Sequence, residues 1–258
     1  MELSGRVEVV DLHKALGGQP VLRGVSLRVQ PGEAVAILGP SGCGKTVLLR
    51  HLVGLLVPDR GEVRLDGEAL HRLPPHRLRE VRSQVGVVFQ SAALFDSLTV
   101  GENVAFPLRR HRRLPESRLQ EIVAEKLNLV GMGGTEHKMP AELSGGMRKR
   151  VGIARALALD PKIVLYDEPT AGLDPVTARA VDRLMMEVRA RTRTTTVLVT
   201  HDLLTAFAVA DRVAVMDAGR FVVTGTREEV RASPHPLVQA FLRSSALGGV
   251  VEEAIREA

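Results

Sequence analysis

Several residue types are scarce in this chain of 258 residues, which has no Trp, one Tyr, six Phe and a single Cys. One cysteine cannot form an internal disulfide, so we expect the protein to work in a reducing compartment. Proteins that bind single-stranded nucleic acid stack bases on exposed aromatic rings, so the lack of aromatics argues against a nucleic-acid partner. The hydrophobic core must therefore be built mainly from aliphatic side chains.

Long apolar runs are also lacking. No stretch approaches the roughly 20 apolar residues that span a bilayer, and the opening residues MELSGRVEVV do not have the pattern of a signal peptide. We therefore expect a cytoplasmic protein that reaches a membrane only through a partner.

The chain carries a formal net charge of +5, and its densest basic run is Arg109-Arg110-His111-Arg112-Arg113. Such a run is most simply a solvated loop or helix end. The alternative is a contact with lipid headgroups or with a membrane partner.

Apolar residues make up 45% of the chain and charged residues 25%, which is ordinary globular composition. Strand and helix patterns alternate along most of the chain, and this predicts a mainly parallel sheet flanked by helices. Pro107 and Pro115 are interpreted as breaks within a helical insertion at about 91–160. We predict a single domain over 1–243 and assign no structure to the tail, 244–258. The predicted strands are 6–11, 25–29, 34–38, 61–65, 85–89, 163–166, 194–200 and 212–217, and the predicted helices are 45–55, 117–130, 144–159, 175–191, 203–210 and a short one within 226–243.

The strongest motif is a phosphate loop, in which Gly, four residues, Gly, Lys and Ser/Thr follow an apolar strand and open a helix. Glycines let successive backbone N–H groups surround phosphate oxygens, and the helix N-terminus adds partial positive charge. Lys45 is expected to reach the β- and γ-phosphates and Thr46 to ligate Mg²⁺. Cys43 is interpreted as a small filler and not as a nucleophile. The loop reads Gly39-Pro40-Ser41-Gly42-Cys43-Gly44-Lys45-Thr46.

A second motif is an apolar strand, 163–166, that ends in Asp167 and Glu168. Two acids after a strand are often only a cap or a turn. Beside a phosphate loop, however, Asp167 is expected to hold Mg²⁺ through water and Glu168 to orient the attacking water. The two motifs together indicate a nucleoside triphosphatase.

The sequence Leu143-Ser144-Gly145-Gly146-Met147 stands before a long helix. Alone, its Ser-Gly-Gly would be a good helix N-cap. Between the phosphate loop and the Asp-Glu pair, it resembles the signature motif of the ABC ATPase family. Three further elements in the family's order extend the resemblance over nearly the whole chain: Gln90 resembles the Q-loop glutamine, Ala171–Pro175 the D-loop, and His201 the switch histidine.

The resemblance implies an α/β P-loop NTPase fold of ABC type, with a mainly parallel core sheet, an antiparallel β lobe and an inserted helical subdomain. It also implies that two copies pack head to tail around ATP and Mg²⁺. The turn of Ser144, Gly145 and Gly146 would then face the partner copy's γ-phosphate, with Asp174 of the D-loop nearby. Gln90 would contact Mg²⁺ and water, and His201 would contact the γ-phosphate.

This sequence departs from the family pattern at two places. Leu16 occupies the position where relatives usually place an aromatic ring against adenine, so apolar contact would replace stacking. Val47 follows Thr46 where many relatives carry Thr, and the loss of one hydroxyl contact to the α-phosphate weakens binding by about 1 kcal/mol.

The segments 89–108 and 138–150 resemble the ATPase subunits of Mla-type phospholipid transporters, which work with MCE-domain proteins. A permease, an MCE-domain protein, a small STAS-type partner and a place at the cytoplasmic face of the inner membrane are implied by this resemblance. The apolar segment from Ala92 to Phe95 would line a groove that takes a helix of the permease. Alternatively, it belongs to the core of the helical subdomain.

Other functions stay open at this point. Importers of amino acids or metal ions share much of the pattern, and some soluble ABC ATPases act in translation or DNA repair. Translation types usually carry two cassettes, and repair types carry zinc modules or long coiled coils, none of which is found in this sequence. Glu168 and His201 argue against a cassette that regulates without hydrolysing ATP.

Overall fold

The computed structural model describes residues 4–246, which form two sheets flanked by helices. The larger sheet has six strands: β3 (Ala34–Leu38), β6 (Val85–Val88), β7 (Ile163–Asp167), β8 (Thr195–Thr200), β9 (Arg212–Asp217) and β10 (Arg220–Gly225). Their order across the sheet is β10-β9-β3-β8-β7-β6, and all neighbours are parallel except β10, which pairs antiparallel with β9. The smaller sheet is antiparallel, in the order β2-β1-β4-β5, and consists of β1 (Val7–Leu16), β2 (Gln19–Val29), β4 (Arg60–Leu65) and β5 (Glu68–Ala69).

Nine helices are described between residues 4 and 246. They are α1 (Lys45–Leu52), α2 (Pro75–Ser83), α3 (Val100–His111), α4 (Glu116–Leu129), α5 (Gly145–Leu157), α6 (Pro175–Thr192), α7 (Leu203–Val209), α8 (Arg227–Arg231) and α9 (Pro236–Ala246). Two short 3₁₀ helices cover Leu70–Arg72 and Pro140–Glu142. None of these helices is long and apolar enough to cross a membrane.

The central strands are buried on both faces, and each face belongs to a different core. In β3, Ala36 and Leu38 join the core formed with α3 to α7, whereas Val35 and Ile37 join the core formed with α1 and the smaller sheet. This follows from the two-residue period of a strand. The α/β fold with parallel core, antiparallel lobe and helical insertion is confirmed.

The helical subdomain consists of α3, α4 and α5, between β6 and β7. The amphipathic face predicted for α4 is buried, including Leu119, Ile122, Val123 and Leu127. Pro115 is the N-cap of α4, so it does interrupt the helical structure, as predicted.

The prediction that Pro107 breaks the helical pattern was wrong, because α3 runs through it. Proline inside a helix costs about 3 kcal/mol, since it lacks an N–H donor. A capping box formed by Thr99 and Glu102 offsets part of this cost. Asn103 is fully buried, and its amide hydrogen-bonds the backbone of residues 95, 98 and 99, which ties the preceding loop to the helix.

Other differences concern element bounds. α1 ends at Leu52 and not at residue 55, and β1 and β2 form a longer hairpin. Four elements were not predicted: α2, α3, β5 and β10. The short helical tail expected within 226–243 is two helices, α8 and α9, and α9 extends to Ala246. Of the tail 244–258, for which no structure was predicted, residues 247–258 lie outside the described residues.

Candidate functional site

The phosphate loop connects β3 to α1, and its glycines are required by its shape. Gly42 and Gly44 have φ of 80° and 113°, which L side chains rarely adopt. A Cβ at Gly39 would lie 2.4 Å from the carbonyl oxygen of Met216 and 2.7 Å from Sγ of Cys43. The backbone can therefore curl tightly in front of α1, whose first N–H groups have no intrahelical partner.

Lys45 is buried and folds back over the loop that carries it. Its Nζ donates to the carbonyl oxygens of Gly39 at 2.6 Å and Pro40 at 3.0 Å, and lies 3.6 Å from Oε1 of Glu168. The amine is thus held between the phosphate loop and the end of β7. The neighbouring Thr46 is exposed in the first turn of α1, where its hydroxyl can reach a ligand.

Asp167 ends β7 with one oxygen, Oδ1, buried and without a hydrogen-bond partner among residues 4–246. Burial raises the pKa of this carboxyl, and the charge of Glu168 raises it further. A buried acceptor without a donor is rare in native proteins and needs an explanation. Mg²⁺ binds oxygen ligands and keeps several waters, so the Asp167 carboxylate and the Thr46 hydroxyl fit a Mg²⁺–nucleotide at this place.

Glu168 and His201 come from neighbouring strands and meet in front of the sheet. Nδ1 of His201 lies 2.8 Å from Oε2 of Glu168, and the His201 backbone N–H donates to the same oxygen at 3.2 Å. Glu168 has a φ of 47°, and its N–H donates to the carbonyl of Val199 in β8 at 2.9 Å. A carboxylate held by strained backbone beside a histidine can accept a proton from water.

Gln90 follows β6 and is exposed. Its backbone carbonyl, not its side-chain amide, accepts a hydrogen bond from Nζ of Lys149. Lys149 is buried in α5 and also donates to the backbone carbonyl of Glu168 at 3.4 Å. Burial lowers the pKa of Lys149. Lys149 was not predicted as a site residue, because in the sequence it resembles an ordinary basic residue of an amphipathic helix. It links α5 to both Gln90 and Glu168.

The signature turn lies at the start of α5. Ser144 is exposed and caps the helix, because its Oγ accepts the N–H of Met147 at 3.2 Å. The turn packs against the start of α6: a Cβ at Gly146 would lie 2.6 Å from Cγ2 of Thr177. Asp174 caps α6 by accepting the N–H groups of residues 176 and 177.

Three further residues had predicted roles near the nucleotide. Leu16 is the last residue of β1, beside the turn of the β1–β2 hairpin, and is 40% exposed, so it is available for apolar contact. Val47 is half-buried and packs against the core around α1. Burial raises the pKa of the Cys43 thiol, which keeps it protonated and agrees with its interpretation as a filler.

Comparison with known proteins now identifies the family. Residues 22–171 match the family model described as ABC transporter. The chain belongs to this family. Among its relatives, the probable ribonucleotide transport ATP-binding protein mkl of Mycobacterium leprae is 43% identical over 255 residues, covering 98% of this chain and 74% of that protein. The intermembrane phospholipid transport system ATP-binding protein MlaF of Escherichia coli K12 is 39% identical over 244 residues, covering 95% of this chain and 91% of that protein.

Solved structures of ABC cassettes have the same fold. The dimeric cassette MJ0796 in a post-hydrolysis state, bound to ADP and Pi, superposes with a TM-score of 0.77 at 32% identity, covering 85% of this chain and 98% of that one. Clostridium perfringens cbiO1, part of the transporter complex cbiONQ, superposes with a TM-score of 0.82 at 30% identity, covering 98% of this chain and 100% of that one. The chain is thus the ATP-binding subunit of an ABC transporter and an ATPase that uses ATP with Mg²⁺.

Proposed function

We propose that two copies of this chain enclose ATP at the cytoplasmic face of the inner membrane and use its hydrolysis to drive phospholipid transport through a permease. Residues 1–243 act as a single ABC ATPase domain, with the helical insertion at about 91–160. ABC ATPases act as dimers with membrane permeases. An MCE-domain protein and a small STAS-type subunit complete the assembly in this proposal.

Within one copy, the phosphate loop, residues 39–46, surrounds the phosphates, and Lys45 turns from its own loop carbonyls toward them. Leu16 contributes an apolar contact to adenine, and Val47 lies at the α-phosphate without the hydroxyl contact that Thr would supply there. Thr46 and Gln90 provide oxygen ligands for Mg²⁺ and Asp167 holds the ion through water; the ion neutralises phosphate charge when bound. Glu168 orients water for attack, and His201, held against it, contacts the γ-phosphate.

The second copy supplies the remaining groups. Ser144 is exposed at the N-terminus of α5, and a helix N-terminus favours a phosphate group. Gly145 and Gly146 present their N–H groups beside it, and Asp174 lies at the adjacent start of α6. Val176, also at the start of α6, is 77% exposed.

An apolar groove beside the helical subdomain supports a membrane partner. A cavity of about 610 Å³ is lined by residues that include Phe89, Ala93, Phe95, Phe106 and Arg155. Phe95 and Phe106 are in tilted ring contact at 4.7 Å, and each is nearly half exposed. Such a surface suits an amphipathic helix of the permease.

The segment 92–95 divides between the core of the helical subdomain and the lining of the groove. Ala92 is buried against Gly152, and Leu94 packs on the core of the helical subdomain, whereas Ala93 and Phe95 line the groove. Arg155 of α5 donates to the carbonyls of Ala92 and Ala93, each at 2.7 Å. A helix in the groove would therefore act on the helix that carries Ser144.

The assignment of phospholipid as substrate depends on the relationship to MlaF. The mkl relatives carry a different substrate in their name, a ribonucleotide. We therefore test substrate directly, with the complex of this chain and its permease purified from native membranes and reconstituted in liposomes. We expect ATP-dependent movement of a fluorescent phospholipid that is absent from a Glu168→Gln complex.

Ribonucleotides, amino acids and divalent metal ions are tested as alternative substrates in the same liposome assay. Stimulation of ATP hydrolysis by one of these, without movement of phospholipid, would replace the lipid assignment with that substrate. Failure to recover any membrane-spanning partner would contradict the transporter role.

A further inference from the structure

Behind the contact of Glu168 and His201 lies a charged network that no motif of the family names. Its centre is Arg179, on α6 five residues after Asp174. Nη1 of Arg179 lies 2.7 Å from Oδ2 of Asp182, and Nη2 lies 2.6 Å from Oδ2 of Asp202. Nη2 also donates to Oγ1 of Thr205 at 3.1 Å.

Asp202 directly follows the switch histidine and is fixed from several sides. Its Oδ1 accepts the N–H of Leu204 at 2.9 Å and so caps α7. Its own N–H donates to Oγ1 of Thr200 at 3.0 Å, and Oγ1 of Thr205 donates to its Oδ2 at 2.9 Å. The residue beside His201 therefore has little freedom while Arg179 is in place.

The network also reaches the segment after β7. Thr205 is fully buried, and its Oγ1 lies 3.2 Å from Oγ1 of Thr170. Thr170 stands between Glu168 and the D-loop, and its carbonyl accepts the N–H of Leu173 at 3.2 Å. The guanidinium of Arg179 thus connects the start of α6 with two other places: the residues between β8 and α7, which include His201 and Asp202, and the segment that carries Glu168.

We infer that Arg179 is a positioning residue for ATP hydrolysis: it holds His201 against Glu168 through Asp202 and links this pair to the D-loop. The fork of a guanidinium allows this, because its two terminal nitrogens bind two carboxylates at a fixed separation. A lysine at the same place would present a single ammonium and could not span both in the same geometry. The inference rests on the role proposed above for His201.

The test compares Arg179→Ala with Arg189→Ala. Arg189 lies on the same helix, pairs with Asp211 and donates to the carbonyl of Gly32, so it serves as a structural control away from His201. We expect Arg179→Ala to lower kcat about tenfold or more, because small misplacements of reacting groups are costly. KM for ATP should change little, Arg179→Lys should restore only part of kcat, and Arg189→Ala should keep the wild-type kcat.

A second readout separates positioning from general damage. The full chain, labelled at its eight histidines, gives an imidazole NMR signal for His201 that a His201→Gln variant identifies. We expect that signal to shift or broaden in Arg179→Ala and to stay unchanged in Arg189→Ala. If Arg179→Ala does not fold, Asp202→Asn carries the same test, because Asn still caps α7 but loses the charge that Arg179 binds.

A wild-type kcat in Arg179→Ala, or a reduced kcat with an unmoved His201 signal, would overturn the inference. A His201→Gln variant with wild-type kcat would instead remove the role proposed for His201. The two failures are therefore distinguishable.

Discussion

One carboxylate oxygen of Glu168 contacts His201 twice: Nδ1 and the backbone nitrogen of His201 both lie within 3.2 Å of Oε2 of Glu168. The other oxygen of Glu168 faces Lys45 at 3.6 Å. This side chain therefore lies between the phosphate loop and His201. In the proposed mechanism it contacts the attacking water from that place.

Replacing Glu168 by Gln tests this role, because an amide keeps the size of the side chain but cannot accept the proton. We expect ATP hydrolysis to fall by about 100-fold or more, while ATP binding persists and ATP-bound dimers accumulate. Phosphate release and sedimentation with ATP measure the two effects. Glu187→Gln, on the exposed face of α6, is the control. Normal hydrolysis in Glu168→Gln would assign the base to another group.

The close packing of the signature turn on the D-loop helix gives a second prediction. Gly146→Ala would place a methyl group 2.6 Å from Cγ2 of Thr177, and such overpacking costs about 1–3 kcal/mol. We expect a lower free energy of unfolding in urea and lower ATPase activity. Thr177→Ser removes the opposing methyl and keeps the hydroxyl, so the double variant should recover both. No recovery in the double variant would mean that these two residues do not set the packing.

The residues proposed to contact nucleotide could be predicted from the sequence because the chemistry of such a site fixes both residue type and spacing. The phosphate loop needs glycines at set places, and Asp167 and Glu168 must follow a buried strand. The parallel sheet was predictable for a similar reason, since β3 and most of β7 are apolar runs and β8 is rich in β-branched residues.

Features that depend on contacts between distant segments were not predictable in this way. The helix through Pro107 is stabilised by the amide of Asn103, which binds the backbone of residues 95, 98 and 99. The Thr-x-x-Glu pattern of its capping box can be read from the sequence, but it does not show that the helix continues past Pro107. Lys149 and Arg179 resemble ordinary basic residues of amphipathic helices until the fold brings Gln90 and Asp202 beside them.

The groove gives a third prediction. Phe95→Ala should leave ATP hydrolysis by the isolated chain unchanged, because Phe95 is half exposed and is not among the proposed nucleotide contacts. It should weaken recovery of the permease from detergent-solubilised membranes, since the variant loses the Phe95 ring. That ring contacts the ring of Phe106 and lies under the guanidinium of Arg155. Leu55→Ala, at an exposed apolar residue after α1, is the control. Equal recovery of the permease with both variants would place the docking surface elsewhere.

The buried carboxyl of Asp182 gives a prediction about pH. Burial raises its pKa to about 6 despite the neighbouring Arg179, whereas the ordinary value is 3.8. The folded state therefore holds the proton more tightly than the unfolded state. The stability that this group contributes is complete below about pH 3.8 and is lost as the pH rises through about 6.

This prediction is checked by urea unfolding of wild type and Asp182→Asn between pH 4 and pH 7. The free energy of unfolding of wild type, relative to the variant, should fall as the pH rises across this range. A constant difference between the two proteins would show that Asp182 titrates as in the unfolded chain.

The central claim is that ATP hydrolysis needs two copies, because the exposed Ser144 turn of one copy completes the site built around Lys45 and Glu168 of the other. The most direct measurement is the turnover rate per chain of purified wild type across a range of protein concentrations, with molecular mass followed by sedimentation under the same conditions. We predict a rate that rises with concentration and levels off as dimers form, and almost no activity at any concentration for Ser144→Arg. A rate per chain that stays constant while only single chains sediment, or full activity in Ser144→Arg, would contradict the account.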